Sequence, residues 1–207
     1  MKRFLSFIMK VITFLFIISG LGILAFAGYN FYEGYIQEDQ ATNEAEELLE
    51  RTLYKKDKEK DSSNVDKEDF KETFDPQYGD SIGMLVIDKI DAELPIVQGV
   101  EEDDLKKGVG HYTGTSYPLD DDQIVLSGHR DSVFKRMSEI EVGDIMTVNM
   151  PYGSFDYKIT ETKVVPADDL SIIVPHDEET LTVTTCYPFS YFGNAPDRFI
   201  VDAKPIN

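Results

Sequence analysis

The sequence contains one cysteine, Cys186, at the end of the β-branched run Leu181–Thr185. A disulfide within the monomer is therefore impossible, and an idle free thiol outside the cytoplasm would be an oxidation liability. A nucleophilic role would explain why an exported chain keeps this thiol, provided that a base and an oxyanion-stabilising group are found elsewhere. Cys186 therefore indicates thiol chemistry, and the remaining residues have to supply its partners.

Three histidines are candidates for the base. His129 directly follows the apolar run Ile124–Leu126, so we expect it at a strand end, where a rigid edge presents a side chain to a cleft, although a structural role is also compatible. His111 either is structural or lines the cleft. His176 lies in a polar turn, where we expect it to be exposed. His129 is therefore the preferred partner of the thiol.

Arg198 is the candidate for stabilising an anion. It opens the run Arg198–Val201, after the loop that follows Cys186. If these two segments are neighbouring strands, the loop brings the guanidinium close to the thiol, where it can donate hydrogen bonds to an oxyanion or to a substrate carbonyl. A salt bridge with Asp197 or Asp202 is the alternative role.

The chain carries 39 acidic and 20 basic side chains, a formal charge of −19. Such a surface repels nucleic acid and anionic headgroups, which we therefore exclude as partners. The acidic clusters Glu101–Asp104 and Asp120–Asp122 lack the alternating spacing of a calcium loop and indicate a solvated face. A zinc site of Cys186 with two histidines is chemically possible, but no ligand pair has close spacing. We expect neither a metal nor a cofactor.

The N-terminal segment predicts a membrane anchor. Lys2, Arg3 and Lys10 precede the uncharged run Val11–Ala27, and aromatic residues follow it. A helix over this run, extended toward the N-terminus with Lys10 snorkelling, can cross a bilayer core of about 30 Å. The positive-inside rule then gives a single-pass protein with a cytoplasmic N-terminus and an extracellular remainder. A cleaved signal peptide is the alternative, because Ala25-Phe26-Ala27 fits a cleavage site.

The rest of the chain predicts a linker and one β domain. We assign residues 1–28 to the anchor, 29–79 to a polar juxtamembrane linker, and 80–207 to the globular domain. The first half of the linker favours a short helix, and its second half has the composition of a disordered segment. About eight short strands separated by turn signals predict an all-β barrel or sandwich, with helical turns near 102–107 and 133–140. The strand runs are Gly83–Asp88, Ile124–Ser127, Ile145–Asn149, Ser154–Thr160, Leu181–Thr185 and Phe199–Ala203.

In this order, the motifs resemble the sortases, the cysteine transpeptidases of Gram-positive cell surfaces. The thiol motif Thr-Leu-x-Thr-Cys is matched, with extra residues, by Thr180–Cys186. Gly128–Asp131 resembles the histidine motif, and Asp197–Val201 resembles the arginine strand. Further matches are Gly83–Ile90 with Leu94–Ile96, Gly108–Thr115, and Gly143-Asp144. The resemblance covers nearly all of residues 80–205, and the Tyr187–Phe189 loop is most like class D of bacilli and clostridia.

The resemblance implies a closed eight-stranded sortase-type barrel with the site at one end. It implies that Cys186 is the nucleophile, His129 the acid/base partner and Arg198 the oxyanion or substrate clamp. We expect Thr185, Tyr187, His111 and Asp131 to bind substrate. The implied reaction cleaves an LPxT(G/A)-type sorting signal after threonine through a Cys thioester. The implied partners are surface proteins that carry the signal and a cell-wall amine from peptidoglycan or a lipid-linked precursor.

Alternative functions remain open at this point. A caspase-like protease would carry Gln-Ala-Cys-x-Gly, and an L,D-transpeptidase would carry Gly-Cys with a nearby arginine; both signatures are missing around Cys186. A non-catalytic β domain that binds a wall component would instead bury Cys186 as an inert core residue. Rapid, pH-dependent labelling of the thiol would favour the enzyme.

Overall fold

The computed structural model describes residues 2–59, 74–190, 193 and 195–206. The chain divides into two compact units, Met1–Gln37 and Glu38–Asn207. One long helix, α1 (Lys2–Glu59), begins in the first unit. Among the described residues, one helix is long and apolar enough to cross a membrane. Its apolar side chains, such as Phe16 and Leu24, are exposed to about 70%, as a lipid-facing surface requires.

The aromatic residues that follow the uncharged run lie on the same helix. Tyr29, Phe31, Tyr32 and Tyr35 are all more than half exposed. The helix continues without a break through the segment for which the sequence predicts only a short helix. The predicted disordered half of the linker overlaps residues 60–73, which lie outside the described residues.

The part of α1 that belongs to the second unit packs against the β domain. Ala41 and Ala45 are almost fully buried, and the Ser81 hydroxyl lies 3.3 Å from the Ala41 carbonyl oxygen and donates to it. Small residues allow this close approach of a helix to a strand. Ala41 and Ala45 therefore contribute packing to the unit that contains the barrel, although they lie in the segment assigned to the linker.

The described residues of the second unit form eight strands that close into a barrel in the order β1-β2-β3-β4-β7-β8-β6-β5. The pairs β2/β3 and β4/β7 are parallel, and the other pairs are antiparallel. The strands are β1 (Ser81–Ile87), β2 (Ala92–Gln98), β3 (Val109–His111), β4 (Gln123–Gly128), β5 (Ile145–Met150), β6 (Gly153–Pro166), β7 (Thr180–Tyr187) and β8 (Asp197–Pro205). The predicted closed barrel is confirmed.

Side-chain alternation separates an inner from an outer face of the barrel. Leu126, Leu181 and Val201 point inward and are fully buried together with Leu85 and Tyr157. Residues of opposite parity on β4, β7 and β8 point outward. This parity decides which residues near Cys186 belong to the core and which lie on the outer face.

Short helical turns connect the strands. Helix α2 (Glu102–Leu105) and a 3-10 turn (Met137–Glu139) lie where the sequence predicts helical turns, and further 3-10 turns occupy Asp88–Ile90 and Leu170–Ile172. Helix α2 has a capping box between Glu101 and Asp104. These acids therefore accept backbone N–H bonds, which gives the acidic cluster a structural use.

Candidate functional site

Cys186 and Arg198 are register partners on adjacent antiparallel strands, β7 and β8. Cβ atoms of directly opposite residues lie about 5 Å apart, so the thiol and the start of the arginine side chain are neighbours. The predicted adjacency of the two strands is thereby confirmed. Arg198 is half-buried and donates hydrogen bonds to the Asp197 and Ala195 carbonyl oxygens, at 3.0 and 3.5 Å.

The salt bridge considered for Arg198 is not formed. Among the ion pairs of the described residues none includes Arg198, and Asp202 is bound instead by Lys163 at 2.7 Å. This ion pair, together with the hydrogen bond between its members, holds the pKa of Lys163 above its ordinary value. Among the described residues, the guanidinium of Arg198 therefore donates to backbone carbonyls and forms no ion pair with a carboxylate.

The parallel pairing of β4 and β7 brings His129 to the same end of the barrel. Gly128, the last residue of β4, is level with Thr185, so the next residues along the two strands are His129 and Cys186. The Thr185 hydroxyl donates to the Gly128 carbonyl oxygen at 2.7 Å. Both His129 and Cys186 are half-buried. The cysteine is a free thiol.

Gly128 explains why the strand can end this closely against the core. A Cβ atom at this position would lie 2.5 Å from the Phe134 ring and 2.7 Å from Val133. The position therefore faces inward, and from the alternation of β4 we infer that the side chain of the next residue, His129, faces outward. The turn after His129 is fixed, because the Phe134 N–H donates to the His129 carbonyl oxygen at 3.0 Å.

Four residues thus form an outer-face group at one end of the barrel, which we call the thiol site: His129, Thr184, Cys186 and Arg198. Thr184 precedes Cys186 by two positions and shares its face of β7. Among the described residues, the Thr184 hydroxyl is the one buried side-chain oxygen or nitrogen without a hydrogen-bond partner. Thr184 could not be identified from the sequence, because only the strand register and the hydrogen bonds of the structure show its face and its unpaired hydroxyl.

A hydrogen-bonded chain ties the β6–β7 connection to this outer face. The Gln123 amide donates to the Ile172 carbonyl oxygen at 2.8 Å, and its oxygen accepts from the Val174 N–H at 3.1 Å. The same amide donates to Thr182, whose hydroxyl donates to Asp202. Gln123 therefore holds the connection beside β4 and β7, a role that the sequence analysis did not predict.

The loop after Cys186 begins with aromatic packing. Tyr187 contacts Phe189 and Phe199, with ring centroids 5.5 and 6.4 Å apart. Phe189 and Phe199 also pack against the barrel core. Tyr187 is half-buried, and its predicted substrate-binding role remains a prediction. Two other aromatic residues of this loop, Tyr191 and Phe192, lie outside the described residues.

Two of the predicted substrate-binding residues face the interior instead. The Thr185 side chain is buried and its hydroxyl is committed to Gly128. His111 is 1% exposed, and its ring contacts the Gln98 side chain and the Ser116 carbonyl oxygen, each at 3.0 Å. Its ring also stacks on Tyr117. Both side chains are thus buried and hydrogen-bonded within the protein, and their substrate-binding role remains a prediction.

The positions of three further polar residues are as follows. Asp131 is exposed in the turn after His129, and its substrate-binding role remains a prediction. His176 is half-buried rather than exposed, because its N–H and ring are held by Asp122 and Thr180. Arg136 is bound by Glu139, Asp91 and the Ile90 carbonyl, away from the thiol.

Strand β7 contains no bulge at the thiol motif. Its pairing with β4 runs from Thr180 to Thr185, and its pairing with β8 runs from Leu181 to Tyr187, both without a register shift. An inserted residue in a paired strand would produce a bulge. The motif is therefore better aligned as Thr182-Val183-Thr184-Thr185-Cys186, with valine in place of leucine. This alignment needs none of the extra residues inferred from the sequence.

A cleft of the second unit lies elsewhere. A cavity of about 670 Å³ between α1 and the start of β1 is lined by Glu44, Glu47, Arg51, Asp80 and Lys107 among others. It is at the opposite end of β1 from the strand ends that carry the thiol site. Its volume therefore gives no reason to assign the chemistry there.

The chain matches the model of the sortase domain family over residues 85–206. It is 44% identical, over 200 residues, to sortase D of Bacillus subtilis strain 168; the match covers 95% of this chain and 98% of that protein. The matched family region begins within β1 and includes all four residues of the thiol site.

Solved structures give the same result. A sortase D5 transpeptidase of Clostridium perfringens is similar with a TM-score of 0.61 and 28% identity, covering 78% of this chain and 99% of that one. The catalytic domain of Bacillus anthracis SrtD gives a TM-score of 0.56 and 36% identity, covering 65% of this chain and 92% of that domain. The resemblance predicted from the sequence is confirmed. Sequence and fold together establish that this chain belongs to the sortase family of cysteine transpeptidases, within class D.

Proposed function

We propose that the chain cleaves an LPxT(G/A)-type sorting signal after threonine and joins the protein that carries it to a cell-wall amine. The thiolate of Cys186 attacks the threonine carbonyl, and the carbonyl oxygen becomes the oxyanion of a tetrahedral intermediate. Arg198 donates hydrogen bonds to this oxyanion or to an adjacent substrate carbonyl. One such donor typically contributes about 10²–10³ in rate.

His129 is the proton donor and acceptor. As imidazolium it protonates the leaving amine, and the C–N bond breaks to leave a thioester on Cys186. An amine of a peptidoglycan stem peptide or lipid-linked precursor then attacks the thioester, loses its proton to His129 and displaces the thiolate. The single observation that carries this proposal is the register: Cys186 is opposite Arg198 and one residue beyond the Thr185–Gly128 pair that precedes His129.

The proposed location is the cell surface, with the N-terminus in the cytoplasm and the barrel outside. The candidate membrane helix and the basic residues before it support this orientation. Because Cys186 is the only cysteine, a membrane-impermeant thiol reagent applied to intact cells tests it directly. Labelling only after lysis would contradict the orientation.

The function is tested with the full chain in detergent, sorting-signal peptides that differ in the residue after threonine, and a panel of candidate amines. Mass spectrometry should detect a peptide adduct on Cys186 and an amine-linked product. The Cys186→Ala variant should give neither. Product formation by Cys186→Ala, or the absence of an adduct with every peptide, would contradict the proposal.

A further inference from the structure

Arg130 connects the two segments that carry the proposed histidine and thiol. It directly follows His129, and its two terminal nitrogens donate to the carbonyl oxygens of Pro188 and Gly193, each at 3.0 Å. Pro188 lies two residues after Cys186. One side chain therefore links the end of β4 to two points of the loop between β7 and β8.

A second link joins the same two segments on the other side of the thiol. The Thr185 hydroxyl donates to the Gly128 carbonyl oxygen at 2.7 Å. The pair His129 and Cys186 is thus bracketed: the Gly128–Thr185 bond joins the residues immediately before it, and the Arg130–Pro188 bond joins the residue after His129 to the second residue after Cys186. A bracket of this kind limits both the separation and the relative rotation of the two segments.

The Arg130 link depends on the shape of the guanidinium. Its planar fork presents N–H groups on separate nitrogens to two carbonyl oxygens, whereas a lysine ammonium carries its three donors on one nitrogen and cannot reproduce this planar geometry. The carbonyls that accept these bonds belong to a loop rather than to a strand ladder. The Arg130 link therefore holds this loop in place, as hydrogen bonds between strands hold the rest of the barrel.

The geometry points to Arg130 as a positioning residue that holds the β7–β8 loop against the His129 turn, and so keeps the imidazole and the thiol in reactive geometry. This inference rests on the proposed function of Cys186 and His129. Arg130 acts through these residues and not on the substrate, so its loss should lower kcat and leave KM nearly unchanged. Small displacements of reacting groups are expensive: about 1 Å can cost about a hundredfold in rate.

The test uses the full chain in detergent and three variants. Arg130→Met removes both donors, and Arg130→Lys keeps the charge without the fork. Arg136→Met is the matched control, because Arg136 also donates to a backbone carbonyl and lies on the same β4–β5 connection but binds Ile90 and Asp91. Hydrogen exchange of peptides spanning 187–198 reports the link, and kcat and KM report the chemistry.

For Arg130→Met we expect exchange in 187–198 to rise about fivefold or more, as for the loss of a hydrogen bond. We expect kcat to fall about tenfold to a hundredfold with KM changed less than about threefold. Arg130→Lys should lie between this variant and the wild type, and Arg136→Met should change neither exchange in 187–198 nor kcat.

Unchanged exchange in 187–198 for Arg130→Met would overturn the link. Increased exchange with unchanged kcat, or an equal loss of kcat in Arg136→Met, would overturn the positioning role. A wild-type chain that processes no peptide would contradict the proposed function instead, and the exchange measurement would still decide whether the link exists. Thermal unfolding of each variant shows whether the substitution has unfolded the whole protein.

Discussion

Thr185 donates a 2.7 Å hydrogen bond to the Gly128 carbonyl oxygen, across a sequence separation of 57 residues. The bond is buried and joins the residue before Cys186 to the residue before His129. It therefore fixes the ends of β4 and β7 next to each other, which the turn after His129 and the loop after Cys186 could not do alone.

Replacing Thr185 with valine should reduce both stability and activity. The change preserves shape but leaves the Gly128 carbonyl without this donor, which costs about 1–2 kcal/mol of unfolding free energy. We expect kcat to fall as well, because the relative position of His129 and Cys186 loosens. Urea unfolding and steady-state kinetics of the full chain measure the two effects. A variant as stable as the wild type would show that the bond contributes nothing net.

The neighbouring substitution Thr184→Val should act in the opposite direction on stability. The Thr184 hydroxyl is buried without a partner, so replacing it with a methyl group of similar shape removes a desolvation cost of about 1 kcal/mol or more. The same urea unfolding experiment should give a midpoint at or above that of the wild type. A clear loss of stability would mean that the hydroxyl makes a bond in solution.

Arg198→Lys should nearly abolish turnover. The substitution keeps the positive charge opposite Cys186 but removes the planar set of donors. We expect kcat/KM to fall about 10²–10³-fold, the cost of losing one oxyanion donor. Lys163→Arg is a suitable control, because it changes the shape of a cation on the neighbouring strand while retaining the ion pair with Asp202. Near-normal turnover of Arg198→Lys would remove Arg198 from the proposed chemistry.

Stability should depend on pH through His111. Burial lowers the pKa of His111 below its ordinary value of 6.5, while the bond to the Ser116 carbonyl only partly opposes this shift. On acidification, His111 is therefore protonated at a higher pH in the unfolded chain than in the folded chain. The resulting stability is complete above about pH 6.5 and is lost as the pH falls toward the lowered pKa.

The check is the unfolding free energy of the wild type and of His111→Asn between pH 7.5 and pH 5. The wild type should lose stability on acidification more steeply than the variant. Equal slopes would show that His111 does not contribute to the acid sensitivity of the fold.

The sequence predicted the strands of the thiol site well, because β-branched runs bounded by turn residues mark β4, β7 and β8 clearly. It did not predict β2, which contains Pro95 and ends in Gln98, or β3, which has three residues and a glycine. These two strands form because they pair with each other and with longer neighbouring strands. Local propensity carries little of that information.

The residue types of the site were predictable, but their faces were not. Thr185 and Cys186 are adjacent in a strand, and only the register decides which of them points into the core. The same limit applied to His111, whose interior position follows from its pairing beside Gln98. The link from Arg130 to Pro188 and Gly193 spans about sixty residues and could not be read from local sequence.

Cys186 pairs with the last of the eight barrel strands in chain order. Arg198 lies on this strand, β8, which inserts between β7 and β6. In the proposed chemistry, the sulfur gains its cationic neighbour only when β8 has docked. We therefore expect the reactivity of the thiol to appear together with closure of the barrel.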